Sequence, residues 1–411
     1  MDAIEMVIDR KKGIYVPQLD EERCNRCGLC FEVCPGHAVD FEELNLEIFG
    51  KHPEDARLGN YVNCYTGHAT DYGIRYNSSS GGLVTALLIY ALEERMVDGA
   101  LVTRMKKDKP LEPEPFLART RDEIIQAAKS KYCPVPANIV LKEVIKAKEG
   151  ERFAVVGLPC HVHGIRKIES GDNKLRNKIA YRLGIFCGHA PTFWWTEFHL
   201  WRKGIRRGQI AGLDYRGEGW PGGIVINLKD GSKRFIQYND AWGYFSDSFY
   251  SRRCTLCCDH SAELADISFG DAWLPEFAED KAGKSIVICR NKRGEEILQG
   301  VASQGKLELD RVGAEKAIQS QGGFSYKKGV VVTSFAFSRL RRRDIPIYGV
   351  DFPRPNVTTY LRGLHLHLEV WASSKRYLWG PLATCVSLKT FAAKVARPIV
   401  LFRHRVQKSL D

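Results

Sequence analysis

Residues 24–35 read CNRCGLCFEVCP, which sets Cys24, Cys27, Cys30 and Cys34 in the order C-x2-C-x2-C-x3-C and follows them with Pro35. This is the spacing by which one tight loop wraps a 4Fe-4S cube, because two-residue gaps let three thiolates face one centre. Gly28 permits the turn, and Pro35 ends the loop and directs the chain away. A structural zinc site is the alternative, although zinc favours two separated cysteine pairs. In two-cluster ferredoxins the fourth cysteine of such a run serves the other cluster. The chain has no second run of this type, so the fourth ligand is Cys34 itself or a distant residue such as Cys64.

A second set of cysteines is dispersed. Cys160 ends the apolar run FAVVGLPC, and Cys187 ends the apolar part of KIAYRLGIFCGH. Sites in open parallel sheets form beyond the carboxyl ends of strands, so two cysteines there can converge. RRCTLCCDH supplies Cys254 and Cys257, and two plus two makes a four-thiolate site. Arg252 and Arg253 favour thiolates beside them. The blander arrangement is a zinc-type CxxC with two inert core cysteines. Cys258 diverges from its neighbour Cys257, while Cys133, Cys289 and Cys385 have no evident partner and read as core.

Ser78, Ser79, Ser80, Gly81 and Gly82 precede apolar positions at helical spacing. Bare N–H groups and the dipole at a helix start attract anions, and a plain serine cap is the alternative. GLP at 157–159 and GH at 188–189 are further small residues at strand ends, where a cofactor can lie close. His161, His163 and His189 crowd the same ends, as proton carriers, cofactor partners or satisfied core residues. Asp271 either orients a hydroxyl or caps a helix. No triad stands out, so no catalytic side chain is assigned.

The positioning elements alternate. Strands are expected at 97–104, 153–160 and 178–189, with helices from Leu83, over 121–132 and over 138–150, which argues for an α/β core with parallel strands. Past residue 210 the texture becomes β-rich, with a hairpin around Asp230-Gly231 and strands at 265–273 and 284–290. The expected fold is mixed α/β and α+β. Its parts are a ferredoxin-like segment (1–62), an α/β core (63–200), a second α+β domain (201–345) and a basic tail (346–411).

The 411 residues are 44% hydrophobic and 27% charged, which excludes a disordered or fibrous chain. The formal charge is +12, of which residues 371–411 carry +7. No nucleic-acid motif accompanies that charge. The tail instead suits peripheral contact with a membrane surface, docking to an acidic partner, or plain solvation. The first residues hold no apolar signal core, and the longest uncharged stretch, 76–92, is too polar to span a membrane. With metal-type rather than disulfide-type cysteine spacing, a reducing cytoplasmic compartment is expected.

Taken in order, SSSGGLVTALLIYALEERMVDGALV, SKYCPVP, FAVVGLPCHVHGIRKIE, GIFCGH and CTLCCD-x6-ADISFGDAW resemble the coenzyme F420-reducing hydrogenase/dehydrogenase beta-subunit family, over about residues 20–290. The resemblance implies an FAD-binding core with one 4Fe-4S cluster beside the flavin, ligated by Cys160, Cys187, Cys254 and Cys257. With the ferredoxin-type segment, two 4Fe-4S clusters are expected. Ser79, Ser80, Gly81 and Gly82 match the flavin-side loop, and Lys131 and Gly157 are placed with them. His161 departs from the family, where an amide is expected. The implied activity passes hydride between F420, or another small redox substrate, and FAD. Single electrons then pass to or from ferredoxin or a larger dehydrogenase subunit, and a homo-oligomer is expected. Members that act without F420 keep open a ferredoxin-fed reductase of a tetrapyrrole-like substrate, and a non-catalytic electron-transfer subunit docked to a larger dehydrogenase is a separate alternative.

Overall fold

The computed structural model describes residues 3–242, 248–352 and 356–384. Cys385 and the rest of the basic tail lie outside the described residues. A hairpin of β1 (Ile4–Asp9) and β2 (Ile14–Leu19), not signalled by strong periodicity, opens the chain. The remaining strands are β3 (Asn63–Ala69), β4 (Gly99–Met105), β5 (Pro113–Ala118), β6 (Phe153–Gly157) and β7 (Ile179–Ile185). They continue with β8 (Ile210–Gly217), β9 (Gly223–Leu228), β10 (Lys233–Gln237), β11 (Ile267–Asp271), β12 (Ser285–Cys289) and β13 (Leu307–Val312).

Eight of these form one sheet in the order β13-β3-β12-β11-β7-β6-β4-β5. Its centre, β4-β6-β7-β11, is parallel, as the near-continuous apolar runs of β4 and β6 require for strands buried on both faces. Both margins are antiparallel. The mixed α/β expectation therefore holds. The sheet also takes strands from both sides of residue 200: β11 pairs with β7, and β12 with β3. What changes texture after 200 is the separate antiparallel sheet β10-β9-β8.

The helix Leu83–Glu93 is apolar nearly all round and is buried in the main core with Ile297, Leu298 and Val301 of the helix Lys292–Ser303. Two further helices, Gly323–Leu340 and Val357–Ser373, cross where Gly363 meets Thr333, a contact that leaves no room for a Cβ. Among the described residues, no helix is long and apolar enough to cross a membrane.

Candidate functional site

The N-terminal cysteine loop turns at Gly28, whose φ of +76 is the left-handed conformation glycine adopts freely. Cys27, Cys30 and Cys34 are exposed and Cys24 is half-buried. The Gly36 N–H donates to Cys34 Sγ at 3.3 Å. The loop rests on the helix Pro159–Gly171, where a Cβ on Gly164 would stand 3.7 Å from Pro35. Behind it, the Val39 N–H donates to the Ile347 carbonyl at 2.7 Å and the Ile347 N–H to the His37 carbonyl at 3.0 Å. Cys64 sits instead in β3, among Leu58, Ile286 and Ile288, where burial pushes its thiol up to about 11.

Cys160, Cys187, Cys254 and Cys257 converge. Cys160, expected as the last residue of its strand, lies instead in the first turn of the helix Pro159–Gly171, three residues beyond β6, and Cys187 lies two residues beyond β7. The Cys187 N–H donates to the His260 carbonyl at 2.8 Å, which lays that strand end beside the segment carrying Cys254 and Cys257. Each of the six thiol pairs is close enough to feel the partner's charge. Burial raises Cys160 to about 12 and lifts Cys187 and Cys254 above the usual thiol range. A cation in their midst is what would offset that cost. The Ala190 N–H already donates to Cys254 Sγ at 3.4 Å, a bond that favours the thiolate. Cys258 turns away into the apolar packing of Leu256, Ala262 and Val331.

A cavity of about 450 Å³ opens against this group, and Cys187 is part of its wall. Ser79, Ser80, Gly82, Lys131 and Gly157 also line it, with Leu83, Val84 and Thr85 at the start of their helix. No side chain caps that helix, so its first N–H groups are uncapped at the cavity. The serine hydroxyls are committed elsewhere: Ser79 Oγ accepts from the Ser130 N–H at 2.7 Å, and Ser80 Oγ donates to the Lys284 carbonyl at 2.7 Å. They fasten the loop. Gly81 is not in the wall; a Cβ there would stand 2.5 Å from the Gly67 carbonyl oxygen.

Burial lowers Lys131 to about 7, and its Nζ donates to the carbonyls of Ala127, Ala128 and Lys129 at 2.6, 2.6 and 2.8 Å. Asp271 caps no helix. Its carboxylate accepts from Arg216 at 3.2 and 3.3 Å and from Trp220 Nε1 at 2.8 Å, and Arg216 also holds the Ser79 carbonyl.

The three histidines separate in role. His161 is neutral, lowered by burial to about 4, and fixed between the Leu158 N–H and the Val135 carbonyl. His163 pairs with Asp259 at 2.8 Å. His189 stacks on Tyr250 with ring centroids 3.5 Å apart, and burial lowers it to about 3. His189 Nε2 and Trp242 Nε1 are buried without a hydrogen-bond partner, and both residues line the cavity.

Three residues here carry no sequence signal of their own. Lys327, fully 140 positions after Cys187, donates to the Cys187 carbonyl at 2.7 Å and stands 3.7 Å from Cys257 Sγ. Arg216 and Tyr348 also reach in from distant segments. Arg253, flagged for its charge, also holds the Pro35 carbonyl.

Comparison with known proteins places the chain in a family. Residues 64–142 match the N-terminal family of coenzyme F420 hydrogenase/dehydrogenase beta subunits, residues 150–315 the C-terminal family, and residues 17–40 a 4Fe-4S binding domain. The coenzyme F420 hydrogenase beta subunit of Methanosarcina barkeri is 30% identical over 258 residues, 62% of this chain and 84% of that protein. The coenzyme F420-dependent sulfite reductase of Methanocaldococcus jannaschii is 27% identical over 329 residues, 72% of this chain and 48% of the relative. A solved chain of the F420-reducing NiFe hydrogenase complex from Methanosarcina barkeri shares the fold, with a TM-score of 0.55 at 24% identity over 71% of this chain and 98% of that one. The fold, the ordered motifs and these matches together place the chain in the coenzyme F420 hydrogenase/dehydrogenase beta-subunit family of oxidoreductases, with a 4Fe-4S binding segment at its N-terminus.

Proposed function

We propose that this chain is an iron–sulfur flavoprotein that exchanges hydride between coenzyme F420 and FAD, and conducts single electrons through two 4Fe-4S clusters to or from a ferredoxin-like carrier or a partner subunit. The carrying observation is Cys187, which belongs both to the four-cysteine group and to the cavity wall. A metal centre there and a ligand in the cavity would share that residue. Both curated relatives described above are named for F420, which supports the deazaflavin as substrate.

The residues fit both groups. The cavity falls within the size range of cofactor pockets, and its uncapped helix start suits a pyrophosphate. His189 Nε2 and Trp242 Nε1 lack partners that a ring system could supply. Four thiols within electrostatic reach of one another would make a donor set for iron–sulfur chemistry. That Cys34 shares the loop while Cys64 is packed in the core supports Cys34 as the fourth ligand of the N-terminal group.

Bound together, FAD and a cluster join hydride chemistry to one-electron chemistry. The chain's own residues position and insulate. Arg216 and Asp271 fix the Ser79 backbone, Lys327 sets a positive charge against Cys187 and Cys257, and the exposed N-terminal cysteines offer the exit to an outside carrier. No side chain needs to act as a base, in keeping with the neutral, fixed His161.

Apolar walls such as Leu88, Val102 and Phe269 also suit a ferredoxin-fed reductase of a conjugated substrate. Anaerobic purification followed by iron, sulfide and flavin quantification tests the cofactors, with about eight iron atoms and one FAD expected per chain. Reduction trials with reduced F420 and with reduced ferredoxin then separate the substrates. Zinc without sulfide would overturn the proposal, and no turnover of any hydride donor would reduce it to an electron-transfer subunit.

A further inference from the structure

Apart from Lys327 and Tyr348, the redox site leaves the last part of the chain unused, and that part holds all the net charge. Residues 1–322 contain 45 basic and 45 acidic residues, whereas residues 323–411 contain sixteen basic and four acidic, so the full +12 lies there. The family match ends at residue 315.

Within this region the helix Val357–Ser373 has two unlike sides. Gly363, Leu366 and Ser373 are buried. On the opposite side Val357, Leu361, Leu364, Leu368 and Trp371 are 75, 62, 42, 55 and 55% exposed. Their spacing of four, three, four and three residues lines them up in one stripe, about 21 Å long at the helical rise. None of the exposed positions of this helix is acidic. Its one carboxylate, Glu369, is mostly buried and engaged by His365 at 3.0 Å and Ser248 at 3.3 Å.

Cations flank the stripe. Arg339, Arg341, Arg342 and Arg343 are exposed around Leu340, which is itself 81% exposed. Arg341 lies within electrostatic reach of His367, which is one helical turn from both Leu364 and Trp371. Arg376 and Tyr377 stand exposed just past the helix end.

We propose that this helix is a docking face for an anionic lipid bilayer, its apolar stripe lying in the headgroup–acyl boundary while the flanking arginines meet lipid phosphates. An exposed apolar stripe with an interfacial tryptophan and cationic flanks is what a membrane surface binds, and it asks for no shaped pocket. Charge decides against the nearer occupants. A second copy docked on this face would set two +12 segments against each other, and the chain's own residues 385–411 carry +5. Anionic phosphates oppose neither.

The test is flotation of the full-length holoprotein with vesicles of phosphatidylcholine alone and of phosphatidylcholine mixed with phosphatidylglycerol. Expected is binding to the anionic vesicles, at least about tenfold weaker on the neutral ones, and weaker again as salt is raised. Leu361→Glu/Leu368→Glu abolishes flotation, and Arg341→Glu/Arg343→Glu removes the preference for anionic lipid, both with iron and flavin content unchanged. No flotation on either vesicle overturns the proposal and leaves the stripe to a protein partner. So does flotation that survives Leu361→Glu/Leu368→Glu, or light scattering in which that variant turns a dimer into a monomer.

Discussion

Arg253, the residue before Cys254, donates a hydrogen bond to the carbonyl of Pro35, the residue after Cys34. One side chain thus joins the surface cysteine loop to the interior cysteine group, and Tyr348 braces it at 3.1 Å. Replacing Arg253 with Met should leave iron content intact and slow electron delivery to an external one-electron acceptor by about tenfold, a barrier increase of about 1.4 kcal/mol. Reduction by reduced F420 should be unchanged. Stopped-flow absorbance resolves the two phases, and equal losses in both would show that Arg253 does not connect them.

Cys27 is exposed and belongs to the outer group alone. Cys27→Ser should lower iron from about eight to about four atoms per chain, keep flavin, and abolish reduction of a protein carrier. Colorimetric iron and sulfide analysis beside a carrier-reduction assay checks this. Loss of flavin together with iron would contradict it.

Gly81 should matter for stability rather than for the cavity, because a Cβ there meets backbone on β3. Gly81→Ala is expected to cost about 1–3 kcal/mol through overpacking, seen as a lower Tm, with flavin still bound below the transition. An unchanged Tm would show that the contact relaxes freely.

His199 is 1% exposed, and burial lowers its pKa to about 3. In the unfolded chain imidazole takes its proton near pH 6.5, so between those values the unfolded state binds a proton that the folded state refuses. Stability is therefore whole above about pH 6.5 and is lost as pH falls toward 3. At about pH 5 the loss is about 2 kcal/mol. His199→Phe, which keeps a ring against Trp195, should flatten that slope in urea titrations, and an unaltered slope would assign the loss elsewhere.

The legible parts of the sequence were local. The cysteine loop announces itself because its ligands are neighbours, and β6 and β7 because buried parallel strands must be apolar. Cys160 and Cys187 were legible as strand-end residues, although Cys160 lies in a helical first turn. The serine loop was legible as a place and not as a mechanism, since its hydroxyls tie the loop down. Lys327 beside Cys257, Arg216 on Asp271 and Tyr348 on Arg253 were not legible, because each contact spans 55 to 95 residues with no spacing rule to mark it. The return of β11 and β12 to a sheet begun far earlier was not legible either, for the same reason.

The most direct test is electron paramagnetic resonance on anaerobically prepared chain, reduced with F420H2, with and without Cys187→Ser. Two distinct 4Fe-4S signals are expected in the unaltered chain. In Cys187→Ser the interior signal should vanish, the N-terminal one persist, and the absorbance of the bound flavin shift. A single signal in both proteins, or two signals untouched by the substitution, would mean that no cluster shares a wall with the flavin cavity.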